Sequence, residues 1–200
     1  MRNTNWFRAV LVSLSIIVGF LPASALLSQG PADPAYVRIS NGWMGLYGHD
    51  SEYAKFSVVG KEVELQDAHH ILLRPGLGMM VSFADEAEFG GGANLLENHA
   101  KWELDYWRSH ANSAEAITRQ DLSGPRQDLR VTELRIHRND DSQIIIYMIA
   151  LAAKDGVFVL SVSPGSPASE GVVREIADSF ILVHRPLNAE EIATIAKAAK

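Results

Sequence analysis

Hydrophobic spacing changes several times along the chain, and each change predicts a different element. Ala9 to Leu21 form an apolar run of 13 residues, broken only by Ser13, Ser15 and Gly19. Arg2 and Arg8 precede the run, Pro22 ends it, and Ala23-Ser24-Ala25 supplies the small residues that a signal peptidase reads. A basic segment, a short apolar segment and an A-x-A site predict a cleavable secretory signal over residues 1–25. A membrane span needs about 20 apolar residues, more than this run provides. Residues 26–36 hold Pro31 and Pro34 and no periodicity, which predicts a flexible lead-in.

From Tyr36 to Asp85 the chain falls into short β-like pieces: Trp43 to Tyr47, Phe56 to Val59, His70 to Leu73 and Met79 to Phe83. Turn residues at Gly48-His49-Asp50, Gly60-Lys61 and Pro75-Gly76 separate them, so antiparallel hairpins are expected. Asn94 to about Asn112 carries the clearest helical period. Ile117 to Asp121 and Leu129 to Arg138 read as strands. In the second, apolar parity changes between Val131 and Leu134, which predicts a bulge near Thr132–Glu133. Gln143 to Ala153 is almost wholly apolar, and Lys154-Asp155-Gly156 turns it into Val157 to Val162. A second helix is expected over residues 168–180. Ser166 or Ser169 would be its N-cap, Pro167 would take an early helical position, and Val172, Val173, Ile176, Ala177 and Phe180 would form one stripe. Asn188 and Glu191 make a capping-box pattern for a short terminal helix over residues 186–200.

Ile144 to Leu151 leaves no polar face, although the tight turn after it demands an antiparallel partner. A strand apolar on both sides needs cover on both sides. The helices are the available cover, so the expected fold is α+β. It is a single domain over residues 37–185, with a central antiparallel sheet and helices packed on both faces, an α/β/α sandwich.

The order of elements and the ending VFVLSVSPGSPASEGVVREIADSFILV (residues 157–183) resemble the PsbP/Mog1/DcrB-like α/β/α sandwich superfamily. There a buried strand leads through a small-residue turn into a helix that ends in a triplet like Asp178-Ser179-Phe180. Gly42-Trp43 is similar to the first strand of that family. The resemblance spans about residues 37–184 and implies a mostly non-enzymatic class, containing photosystem subunits, a Ran-binding import factor and bacterial envelope proteins. It brings no catalytic motif with it.

The chain has 18 Lys and Arg against 24 Asp and Glu, a formal charge of −6. Residues 1–25 hold two arginines and no acid, so cleavage would leave −8. An acidic surface without clustered Lys or Arg repels phosphates, which argues against nucleic acid and anionic lipid as partners. Cysteine is absent, excluding a disulfide framework, a thiolate metal site and a lipid-bearing cysteine. The expected location is periplasmic or secreted, with no membrane anchor after signal cleavage, and the expected partner is another envelope protein or a small ligand.

Candidate chemistry concentrates on the long helix. At about 100° per residue, Leu95, Trp102 and Tyr106 share one side, and Leu96, Ala100, Leu104 and Trp107 form a second apolar arc. His99, Glu103 and His110 fall between the arcs, inside the half that should be buried. Trp102, Tyr106 and Trp107 are therefore candidates for a ligand or peptide groove. His99 and Glu103, four residues apart, could share a metal ion if His70 or His69 supplied a third ligand from a strand. That alternative would make the protein a metal-dependent hydrolase. The two-histidine-plus-acid zinc signature is absent, and Gly90-Gly91-Gly92 matches no phosphate or dinucleotide motif, so no cofactor is assigned. Asp85, Glu86 and Glu88 lack calcium-loop spacing, and Ser123 and Ser166 are not in nucleophile elbows. The function expected from the sequence is an exported binding or assembly module without a catalytic motif.

Overall fold

The computed structural model describes residues 35–39, 42–60, 62–74 and 76–183. The signal peptide, most of the lead-in and the terminal helix predicted for residues 186–200 lie outside the described residues. Ala35 and Tyr36, assigned to the lead-in, already belong to the first strand.

Eleven strands and four helices make up the described chain. β1 (Ala35–Ile39), β2 (Gly42–His49) and β3 (Glu52–Val59) form consecutive hairpins, followed by β4 (Glu62–Leu65), β5 (His70–Arg74) and β6 (Leu77–Asp85). Then come α1 (Glu86–Phe89), α2 (Leu95–His110), β7 (Ser113–Thr118) and α3 (Gln120–Ser123). β8 (Leu129–His137), β9 (Gln143–Ala152), β10 (Gly156–Ser163), α4 (Glu170–Ser179) and β11 (Ile181–Val183) complete the order.

All strand pairs are antiparallel, and they build two sheets. One has the order β1-β2-β3-β11 and the other β4-β5-β6-β10-β9-β8-β7. After β6 the chain crosses the face of the larger sheet as α2 and reaches its far edge. It then meanders back through β7, β8 and β9 until β10 pairs with β6. α4 returns it to the smaller sheet, where Leu182 of β11 pairs with Ala54 of β3.

This architecture corrects the α/β/α sandwich. The described residues are mostly strand, and the helices do not clothe both faces of one central sheet. The two-sided apolar strand β9 is covered on both faces, but by unlike layers. Met148 and Ile146 join a cluster with Leu134, Ile136, Val157 and Val159 beneath Leu96, Leu104 and Trp107 of α2. Tyr147, Ile149 and Leu151 point the other way, into a core shared with Phe56 and Val58 of the smaller sheet and Val172, Val173 and Ile176 of α4. Apolar area left on a sheet face can be removed from water by another sheet as well as by a helix. The strand pattern demands cover and does not name it.

No bulge interrupts β8. Its register with β9 runs unbroken from Leu129 opposite Leu151 to His137 opposite Gln143. The parity change has another cause. Leu129 and Val131 face the core between the sheets, whereas Leu134 and Ile136 face the core under α2. Each core covers a different stretch of the same strand. Residues 117–121 are also revised: the strand ends at Thr118, and Gln120 to Ser123 form a single helical turn. α4 starts at Glu170 with Ser169 as N-cap, and Pro167 lies ahead of the helix rather than inside it.

Candidate functional site

α2 crosses four strands of the larger sheet, and its apolar half is pressed against them. His99 sits in that half at 1 % exposure. Neither ring nitrogen has a hydrogen-bond partner. The ring packs edge-on against Phe89, centroids 5.3 Å apart, and tilts against Trp102 at 6.0 Å. Glu103 follows one turn later. Burial drives its carboxyl up to about 7, against a bond from the Trp107 side chain that favours the ionised form. Burial also drives the His99 imidazole down to about 4. Desolvation disfavours whichever form is charged, so the acid rises and the base falls.

The third ligand of the metal hypothesis is not brought to this pair. His70 lies on an exposed part of β5 and donates from Nδ1 to the Asp67 carboxylate at 2.9 Å. His69 turns the other way, donating from Nδ1 to the Val81 carbonyl at 3.0 Å with its ring edge-on to Tyr47. Among the described residues no three His, Asp or Glu side chains are grouped to hold a metal ion.

The three aromatic candidates divide. Trp102 packs near Phe89 and His99. Tyr106 and Trp107 reach the C-terminal end of α2 and line a cleft of about 580 Å³. Their rings meet edge-to-face at 5.4 Å, and His110 stacks on Tyr106 at 4.2 Å. The His110 ring is fixed there, since Nδ1 donates to the Tyr106 carbonyl one turn back at 2.7 Å. Ile144 of β9 forms the floor above the fully buried Ile136 of β8, and the β8–β9 turn supplies a polar rim of Arg138, Asn139 and Asp140. Asp140 is well placed to hold its charge: the Ser142 hydroxyl, then the Ser142 backbone N–H, keep its carboxyl below the ordinary range. An aromatic wall, an apolar floor and a charged rim suit an apolar side chain carried on a polar chain.

The sequence pointed to Tyr106 and Trp107 by helical spacing. It missed the isoleucines and the rim, because these come from strands that meet the helix only through the sheet. The parity change in β8 was the available signal: Ile136 is apolar on the α2 side where the helix ends.

On the opposite face of the larger sheet lies an ion cluster that the sequence reading also missed. Arg119 donates to Glu133 at 2.5 Å, to Asp121 at 2.9 Å and to Glu170 at 2.9 Å. Its Nη1 also reaches the Tyr147 hydroxyl at 3.4 Å. Glu133 is 3 % exposed and takes a second bond from Arg135 at 2.6 Å. Every charge there has an opposite partner, which fits a structural clasp between β8, β9 and α4 better than a reactive centre.

Among the described residues, no helix is long and apolar enough to cross a membrane. Comparison with known proteins found no matching family model, no matching curated protein and no matching solved structure.

Proposed function

We propose that the chain is an exported binding module of the bacterial envelope, without catalytic activity, that docks a partner protein through the cleft at the C-terminal end of α2. The observation that carries the proposal is that Tyr106 and Trp107 stand against Ile136 and Ile144 around open space of about 580 Å³. Ligand sites of this kind commonly occupy roughly 300–1,000 Å³ and are lined by aromatic and aliphatic groups with a few polar ones. The occupant is an apolar side chain of another envelope protein, with its backbone at the Asn139–Asp140 rim. Export rests on the signal-like residues 1–25. The cleft carries the proposal rather than the family-like ending of residues 157–183, since the helix-clad sandwich that ending implies is replaced by two sheets. The metal-hydrolase alternative gains no support from a His99–Glu103 pair without a third ligand.

The test is capture from envelope extract with the tagged mature chain, using a photo-crosslinking residue at Ser109 beside the cleft. A specific crosslinked partner, lost in Trp107→Ala with an unchanged circular dichroism spectrum, is the expected result. A partner retained by Trp107→Ala would move the docking site elsewhere, and no partner above background would end the proposal.

A further inference from the structure

A second cavity, of about 500 Å³, lies at the opposite end of α2, where the first turn of the helix meets α3 and the loop into β8. It exists because α2 begins too late to cover the whole sheet. Arg130 and Ala152 occupy the α2-facing side of β8 and β9, beyond the start of the helix, and Ala152 is too small to fill the space. Leu96 and Pro125 give the cavity apolar wall, and Gln127 and Thr118 give it polar wall.

The two arginines there differ in what they hold. Arg126 is fully committed. It donates from Nε and Nη2 to Asp128 at 3.0 and 2.6 Å, and from Nη1 to the carbonyls of Ala177 and Phe180 at 3.0 and 2.7 Å. Arg130 is not. One terminal nitrogen donates to the neutral Thr118 hydroxyl at 2.5 Å, and its Nε is buried without any hydrogen-bond partner. No carboxylate among the described residues forms an ion pair with it. Buried donors are almost always satisfied, and leaving a charged one unmade costs free energy. A guanidinium presents donors in a fork that matches a carboxylate. The backdrop favours the same ligand: the side chain of Asn94 makes no capping bond, so the positive end of the α2 dipole is open towards the cavity. Glu97, the acid in the lining, is exposed.

We propose that this cavity binds a small organic carboxylate with an apolar body, its carboxylate on Arg130 and its body against Leu96, Pro125 and Ala152. Its volume exceeds what a bare inorganic anion fills, and Leu96, Pro125 and Ala152 line the same cavity as the charge. The site is distinct from the docking cleft and stands or falls without it.

The full mature chain would be titrated with octanoate, with octanol and inorganic phosphate as controls, following the thermal midpoint and backbone amide NMR shifts. Octanoate raises the midpoint and moves the amides of Leu95, Leu96 and Gln127, because a ligand that binds only the folded state stabilises it. Octanol and phosphate do neither at equal concentration. Arg130→Gln weakens octanoate binding about tenfold or more, Arg130→Lys weakens it less, and Trp107→Ala leaves it unchanged. The amide shifts of the wild-type chain localise the site even if Arg130→Gln fails to fold. Absence of any octanoate response, equal binding in Arg130→Gln, or shifts centred elsewhere overturns the site. An equal response to octanol removes the role of the charge, and an equal response to phosphate removes that of the apolar body. Either result overturns the ligand assignment.

Discussion

Oε1 of Glu103 lies 4.0 Å from Nε2 of His99, one turn apart on the buried side of α2, with no hydrogen bond between them. The two groups respond to burial in opposite directions, and each hides the other's effect on stability. The unfolded chain protonates His99 below about 6.5 while the folded chain refuses that proton down to about 4. This group therefore lowers stability as pH falls from about 6.5 to 4. The folded chain keeps the Glu103 proton up to about 7, while the unfolded chain releases it near 4.5. Glu103 therefore lowers stability as pH rises from about 4.5 to 7.

Between about 4.5 and 6.5 the two slopes oppose, and the wild-type profile is nearly flat with respect to this pair. Glu103→Gln leaves His99 alone, so stability falls on acidification through that window. His99→Gln leaves Glu103 alone, so stability falls as pH rises. Urea unfolding at several pH values should give slopes of opposite sign, with end-to-end changes of up to roughly 3 kcal/mol. Two variants that both follow the wild-type profile would show that neither group is titrated by burial.

Glu133 provides an acid-side test of the clasp on the other face. Burial acts to raise its carboxyl, but bonds from Arg119 and Arg135 outweigh that and hold it below the ordinary carboxylate range. A depressed acid stabilises the fold at neutral pH, and the gain is lost as pH falls through its folded value. Glu133→Gln should cost about 2 kcal/mol at pH 7, less than a lone buried pair, because Arg119 keeps Asp121 and Glu170. The difference from wild type should shrink in acid, where the wild-type carboxyl is also neutral. A constant difference from pH 7 to 3 would locate the cost in packing instead of charge.

Two glycines should respond to alanine with opposite signs. A Cβ on Gly156, at the start of β10, would stand 2.2 Å from the Ala84 carbonyl oxygen and 2.6 Å from the Phe83 ring. That oxygen is backbone in the paired strand and cannot swing away, so Gly156→Ala should destabilise by about 2–3 kcal/mol. Gly171, in the first turn of α4, has no heavy atom near a built Cβ. Gly171→Ala should stabilise by roughly 0.5–1 kcal/mol through helix propensity and a less free unfolded chain. Thermal midpoints that move the same way in both variants would contradict this reading of the packing.

Short-range features were legible residue by residue. Helical spacing placed Asn94 to Asn112 close to the observed α2, and the stripe of Val172, Val173, Ile176, Ala177 and Phe180 is buried throughout. The wheel set Tyr106 beside Trp102 and put Trp107 on a second arc, yet it is Tyr106 and Trp107 that share the cleft. Trp102 packs on Phe89 instead. Which turn of a helix overhangs the sheet edge is not written in its period. The bulge read from Val131 and Leu134 failed for a related reason: side-chain parity records which face is buried, not whether the backbone or the covering layer has changed.

By itself, then, the sequence determined where α2 and strands such as β8, β9 and β10 form, and that residues 144–151 need cover on both sides. These follow from side-chain alternation and from hydrogen bonds closed within a few residues. The tertiary structure alone decided which layers supply that cover, that β11 pairs with β3, and that Arg119 gathers Glu133 and Glu170. Ser179 bonds Ser57 across 122 residues of chain, and no local pattern specifies such a partner. Any apolar face can satisfy another, so the choice among faces belongs to the packing of the whole chain.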